Sequence, residues 1–229
     1  MDLEKFYDNY WTIVGESVDH KRLDMIVRYI ESGKEVLEIN CGLSILAEKI
    51  LKKGANITVT DLSDIALQKA KSKGIDKTFK VDIDTQELPF QSSQFDIVVS
   101  NSMIEHTFFP KNTIKEGTRV LKERGKFIMM VPNIGHWRFR LWLLFGRFPY
   151  IENTPTDTLH LRFFTSRTIK DLGENYGLRA KKVEGSSGLW VGNMYPFFLR
   201  FPIIREMYEL LTAIYPSLFA RYLLVIFEK

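Results

Sequence analysis

The sequence predicts an α/β fold: a doubly wound, mostly parallel sheet with helices on both faces. Three observations carry this. Short apolar runs of four to six residues alternate with helical stretches of about ten (five such runs fall between Glu35 and Val131). Carboxylates stand at or just beyond the ends of the first three runs, at Glu38, Asp61 and Asp82. The run at 36–44, Val-Leu-Glu-Ile-Asn-Cys-Gly-Leu-Ser, has the form of a buried strand entering a tight turn before a helix. In open α/β sheets the crevice at the carboxyl ends of the strands is where ligands bind.

Residues 1 to 31 read as helical, with Tyr7, Tyr10 and Trp11 clustered in the first helix and a second helix from about Lys21 to Glu31, stopped by Gly33. Strands follow at Glu35–Ile39, Asn56–Thr60 and Lys77–Val81, with helices at Ile45–Lys53 and about Ser63–Lys73. A polar loop with Pro89 leads to a fourth strand, Phe95–Ser100. A helix from about Asn112 to Val120 precedes a fifth, Lys126–Val131, stopped by Pro132. Beyond it, a helix at Ser166–Tyr176 and strands at Arg179–Glu184 and Tyr222–Phe227 are separated by two long aromatic-rich connections. Because long structureless loops are rare inside compact domains, 133–160 and 186–220 are expected to form a helical lid over the crevice. The whole chain, 1–229, forms one domain on this reading.

No leader-like N-terminus and no apolar run of 18 residues is present, and the lone Cys41 fits a reducing compartment as a small buried hydrophobe. A cytoplasmic protein is expected. Residues 134–170 hold six Lys/Arg against two acids, which equals the whole net charge of +4. Arg138, Arg140 and Arg162 in that segment suit a carboxylate or phosphate. The basic, aromatic lid also admits a lipid- or glycan-linked acceptor, or peripheral contact with an anionic membrane. RNA ranks last, because no recognition module accompanies the basic residues.

A nucleoside cofactor explains the three acids. One can accept from both ribose hydroxyls, one from an adenine amino group, and one can face a positive charge. A dinucleotide needs two or three glycines after the first strand, and only Gly42 is present, which argues against NAD. The ordered segments VLEINCGLS (36–44), ITVTDLS (57–63), KVDIDTQELPF (80–90), FDIVVSNSMIEH (95–106) and RVLKERGKFIMMVPN (119–133) resemble the class I S-adenosylmethionine-dependent methyltransferases. That resemblance implies a Rossmann-like sheet of seven strands, the last antiparallel. It implies Glu38, Asn40 and Gly42 near the methionine portion, Asp61 and Leu62 at the ribose, Asp82 and Ile83 at the adenine, and Asn101 closing the methionine end. The run PNIGHWRFRLWLLFGRFP (132–149) is similar to the MetW-like branch, which implies as an alternative a partner protein without catalysis. In the family pattern Glu38 is followed by glycines at 40, 42 and 44; this chain has Asn40 and Ser44 at the outer two. Asn40 tolerates left-handed backbone angles, and Ser44 is expected to cap the next helix.

The sulfonium methyl is electrophilic without help, so the protein must position a nucleophile, and a hydroxyl would also want a base. His106, just after the fourth strand, and His160, beside Arg162, are the candidates; a structural hydrogen bond is the other reading of each. Tyr10 and Trp11 either lie over the cofactor as a flap or pack on the sheet. The histidines are scattered through unrelated elements, so no metal site is expected.

Overall fold

A computed structural model describes residues 2–15, 18–188, 195, 199 and 201–229. Seven strands, β1 (Glu35–Ile39), β2 (Asn56–Asp61), β3 (Thr78–Lys80), β4 (Phe95–Asn101), β5 (Leu121–Pro132), β6 (Arg179–Ser186) and β7 (Tyr222–Glu228), form one sheet in the order β3-β2-β1-β4-β5-β7-β6. β1 to β5 are parallel, and β7 runs antiparallel to both β5 and β6. The strand order reverses between β1 and β4, so a crevice opens there beyond the strand ends.

The central strands are apolar on both sides because both faces are covered. Leu37, Ile39, Val98, Phe127, Met129 and Val225 face helices α5 (Pro110–Val120) and α7 (Ser166–Glu174) through Ile114 and Ile169. Val36, Val59, Val99, Ile128, Met130 and Leu224 face α2 (His20–Val27), α3 (Ile45–Lys52) and α4 (Asp64–Ser72) through Leu23, Ile50 and Leu67. Alternate residues of β5 therefore enter opposite cores, as a period of two requires.

The polar loop after β3 is held from behind. Glu116 accepts from Leu88 N at 2.9 Å and from Arg119 Nη2 at 2.7 Å, while Arg119 donates to the carbonyls of Leu88 and Phe90. At the front, the Asp84 carboxylate accepts from the amides of Phe108 and Phe109, tying this loop to the 3-10 turn Ile104–His106 after β4.

The two connections expected as a lid differ in use. In the first, α6 (Trp137–Leu144) is capped by His136, whose Nδ1 accepts from Arg138 N. Its later part, 153–160, reaches the crevice. In the second, α8 (Pro202–Ile214) is longer than a string of short helices. It buries Tyr208 against Phe139 of α6, and with α9 (Pro216–Phe219) it packs on Gly185 of β6. No described residue of 186–220 lines the crevice, and 189–194, 196–198 and 200 lie outside the described residues. Among the described residues no helix is long and apolar enough to cross a membrane.

A Cβ on Gly117 of α5 would stand 2.5 Å from Phe127 Cε1 of β5. The Gly117→Ala substitution is expected to destabilise the fold by about 1–3 kcal/mol through overpacking, measurable by chemical denaturation.

Candidate active site

The turn after β1 has left-handed backbone at three alternate residues: Asn40 at φ 56°, Gly42 at 50° and Ser44 at 55°. These are the three positions at which the family pattern carries glycine, so Asn40 and Ser44 occupy the glycine conformation despite their side chains. Ser44 makes no cap bond, contrary to expectation, because its left-handed backbone is not the extended one from which a serine hydroxyl reaches the helix amides. Within β5, Arg124 also has left-handed backbone, at φ 60°.

The turn is fastened to β2 by Asp61, whose Oδ2 accepts from Gly42 N and Oδ1 from Ser63 N, both at 2.9 Å. Glu38 lies behind it, only 2% exposed, with Oε2 making no hydrogen bond. Burial, followed by the charge of Asp61, pushes the Glu38 carboxyl up to about 8. Burial also raises Asp61, to about 6, against the backbone amides that pull it down. Two such buried acids at one crevice are suited to ionise when a cationic group arrives. Asp82 closes its own turn, accepting from Asp84 N and Thr85 Oγ1, and presents its remaining edge to the cavity.

One cavity of about 310 Å3 collects Tyr10, Trp11, Glu38, Asn40, Gly42, Asp61, Leu62, Asp82, Ile83, Asn101, His106 and His160. Tyr10 and Trp11 reach it from α1 (Leu3–Ile13), a helix with no buried residue. Trp11 sits so close over the turn that a Cβ on Gly42 would stand 2.6 Å from its Cη2. Polar ties hold α1 in place: Asp8 accepts from Ser63 Oγ, and Lys80 Nζ bridges Glu4 and Asp64 at 2.8 and 2.7 Å. The helix therefore covers the crevice and does not insert its aromatics into the sheet. Burial lifts the Tyr7 phenol, also in the cavity wall, to about 12.

In the same cavity, His106 and His160 meet edge to face with ring centroids 4.8 Å apart. Their Nδ1 atoms lie 3.0 Å from the carbonyl oxygens of Leu159 and Pro155. A carbonyl can only accept, so both rings carry their hydrogen on Nδ1 and leave Nε2 as a lone pair. Burial, then the charge of His160, lowers His106 to about 4, so the ring is neutral at pH 7. The basic segment behaves differently from expectation. Arg138, Arg140 and Arg162 do not line the cavity: Arg138 lies over the Trp142 ring, Arg140 Nε donates to Gly135 O, and Arg162 donates to the carbonyls of Leu161 and Phe108. The cations in the cavity wall are Arg22, from α2, and Arg221, which is 1% exposed; their guanidinium carbons lie 4.3 and 4.5 Å from the centre of the Tyr222 ring between β7 and the cavity. No local motif announced these two, nor Glu105, a third buried acid in the wall.

The fold agrees with comparisons to known proteins. Residues 37–129 match the family model described as a methyltransferase domain. That match supports the class I S-adenosylmethionine-dependent methyltransferase superfamily. A ubiquinone biosynthesis O-methyltransferase of Coxiella burnetii is 25% identical over 198 residues, covering 80% of this chain and 84% of that protein. One of the same description from Xanthomonas oryzae is 28% identical over 145 residues, 58% of this chain and 61% of that protein. Among solved structures, a methyltransferase from Thermotoga maritima aligns with a TM-score of 0.67 at 17% identity over 99% of this chain and 98% of its own. Another from Archaeoglobus fulgidus gives 0.64 at 18% identity over 91% and 92%. The methyltransferase's cofactor is S-adenosylmethionine, and the residues present fit it. Glu38 offers an orphaned buried carboxylate to a cation, and Asp61 keeps lone pairs for hydroxyls.

Two outcomes follow from these buried groups. A cation paired with Glu38 requires its carboxylate ionised, so cofactor affinity should rise as pH goes from 6 to 8, by up to about tenfold per unit. The Glu38→Gln variant should lose that pH dependence and about ten- to a hundredfold in affinity, read by calorimetry. Because the folded carboxyl sits above its ordinary 4.5, the cofactor-free protein loses stability as pH rises from about 4.5 towards 8, and Glu38→Gln should melt higher than the parent at pH 8. Ser44→Gly should stabilise by about 1 kcal/mol, by relieving left-handed strain, in the same melting assay.

Proposed function

We propose that the protein methylates a hydroxyl oxygen on a small acceptor that also carries a negative charge. The single cavity shared by the cofactor acids, the two imidazoles and the two arginines carries this reading. Bound S-adenosylmethionine supplies an activated methyl group. The chain's own part is to seat the acceptor. The Nε2 lone pairs of His106 and His160 accept from the acceptor's O–H, orient its oxygen and favour loss of its proton. Arg22 and Arg221 hold the anionic end, the task that the sequence assigned to the arginines of 134–170. An oxygen acceptor is supported by the O-methyltransferase relatives, whose names specify that chemistry.

An acceptor with an apolar tail has separate support outside the cavity. Leu144 and Phe145, at the end of α6, are 75% and 74% exposed, and Phe148, Tyr150 and Phe163 continue an apolar surface among the basic residues of this segment. Such a surface suits a lipid-linked acceptor drawn from an anionic membrane.

The test uses radiolabelled methyl transfer to a panel of phenols with and without a carboxylate. Carboxylated phenols should be preferred. Arg22→Met should raise the acceptor KM about tenfold or more while leaving cofactor affinity unchanged. Asp61→Ala should weaken cofactor binding by about ten- to a hundredfold. Cofactor binding with no turnover on any acceptor would favour the MetW-like alternative, and an unchanged KM in Arg22→Met would remove the arginine assignment.

A further inference from the structure

Glu105, His106 and His160 each offer one ligand atom, and these atoms all lie within 4.8 Å of one another. The arrangement has a local cause. The carbonyl of Glu105 accepts from Leu161 N at 2.8 Å and from Arg162 N at 3.0 Å. These bonds strap segment 153–162 onto the 3-10 turn after β4 and bring His160 against His106, fifty-four residues away in sequence. The Glu105 side chain is 1% exposed, lines the cavity and has no hydrogen-bond partner on either carboxylate oxygen. The Arg22 charge reaches it but makes no hydrogen bond to it; a buried carboxylate without a hydrogen bond is costly, and a closer ion pair, a proton or a metal is what relieves it.

Both histidines are already arranged as ligands. Each donates Nδ1–H to a backbone carbonyl, which is the outer-shell bond that fixes a metal-binding imidazole and points Nε2 at the ion. His136 shows the contrast: both of its ring nitrogens are occupied, by Arg138 N and by the hydroxyls of Tyr208 and Tyr195. Zinc–ligand bonds of about 2.0–2.2 Å require the three atoms to close in by roughly 1 Å each, a side-chain adjustment.

We propose that Glu105, His106 and His160 form a binding site for a divalent first-row metal ion at the acceptor end of the cavity. Two imidazoles and one carboxylate are a ligand set for zinc and its neighbours in the series, with at least one coordination position open towards the cavity. The binding claim stands on the cluster alone. Its role rests on the function proposed above: with both Nε2 lone pairs on the ion, the ion in place of the imidazoles would hold the acceptor's hydroxyl oxygen as a Lewis acid, the hydroxyl proton leaving to solvent, so that an oxygen lone pair is free to form the new O–CH3 bond while the S–CH3 bond breaks.

The test begins with the full-length protein stripped by chelator and titrated with Co2+, read by visible absorption, and with Zn2+ by equilibrium dialysis. One ion per chain is expected, with the absorption of a low-coordinate Co2+ site. Glu105→Gln and His160→Ala should each weaken binding by tenfold or more while keeping S-adenosylmethionine affinity, which shows that they fold. His20→Ala, at the exposed start of α2, should leave metal binding unchanged. No stoichiometric binding, or binding that survives Glu105→Gln and His160→Ala but not His20→Ala, would overturn the site. Methyl transfer that is undiminished in the stripped protein would overturn the metal's role and leave the proposed methylation standing. Metal binding with no turnover in either form would instead count against the methylation reading.

Discussion

Two carboxyl groups buried in one crevice are the constraint around which this molecule is built. Glu38 and Asp61 sit at the carboxyl ends of adjacent parallel strands, next to the point where the sheet reverses its strand order. Their positions follow from β1 and β2 pairing in register, Glu38 opposite Val59 and Ile39 opposite Thr60. The neighbouring helices and α1 then exclude water from them. The result is a site whose acids lie above their ordinary range until a cation arrives. Stability and binding oppose each other there, since the feature that weakens the free protein at neutral pH is the one that favours a positively charged cofactor.

The turn after β1 illustrates a related compromise. Backbone must come close at 40, 42 and 44, and all three residues are left-handed whatever side chain they carry. Gly42 has a second reason to be glycine, because Trp11 lies against it. Asn40 and Ser44 lack that second constraint, which explains how a side chain is tolerated at each. Ser44 buries its hydroxyl without a hydrogen bond, so the tolerance has a cost.

The acceptor end is assembled from four separate parts of the chain: α2, the turn after β4, the loop 153–160 and the start of β7. Hydrogen bonds carry out the assembly: the amides of Leu161 and Arg162 donate to the Glu105 carbonyl, and those of Phe108 and Phe109 donate to the Asp84 carboxylate. The basic residues of 134–170, conspicuous in composition, lie outside the cavity, whose wall carries Arg22 and Arg221 instead.

Sequence alone determined the sheet and the placing of acids along its edge. Strand periodicity, the acids placed one per strand and the glycine turn are local patterns, and a parallel sheet converts such patterns into position because every strand delivers its carboxyl end to the same edge. The flap reading of Tyr10 and Trp11 was legible only as one of two, because an aromatic helix face looks alike whether it packs on a sheet or covers a cavity. Only the tertiary structure decided the acceptor end. His106 and His160 were each visible as single residues, but nothing in the sequence singled out Glu105 or Arg22. Their meeting depends on a loop strapped across fifty residues by main-chain hydrogen bonds, and such bonds carry no side-chain signature in the sequence.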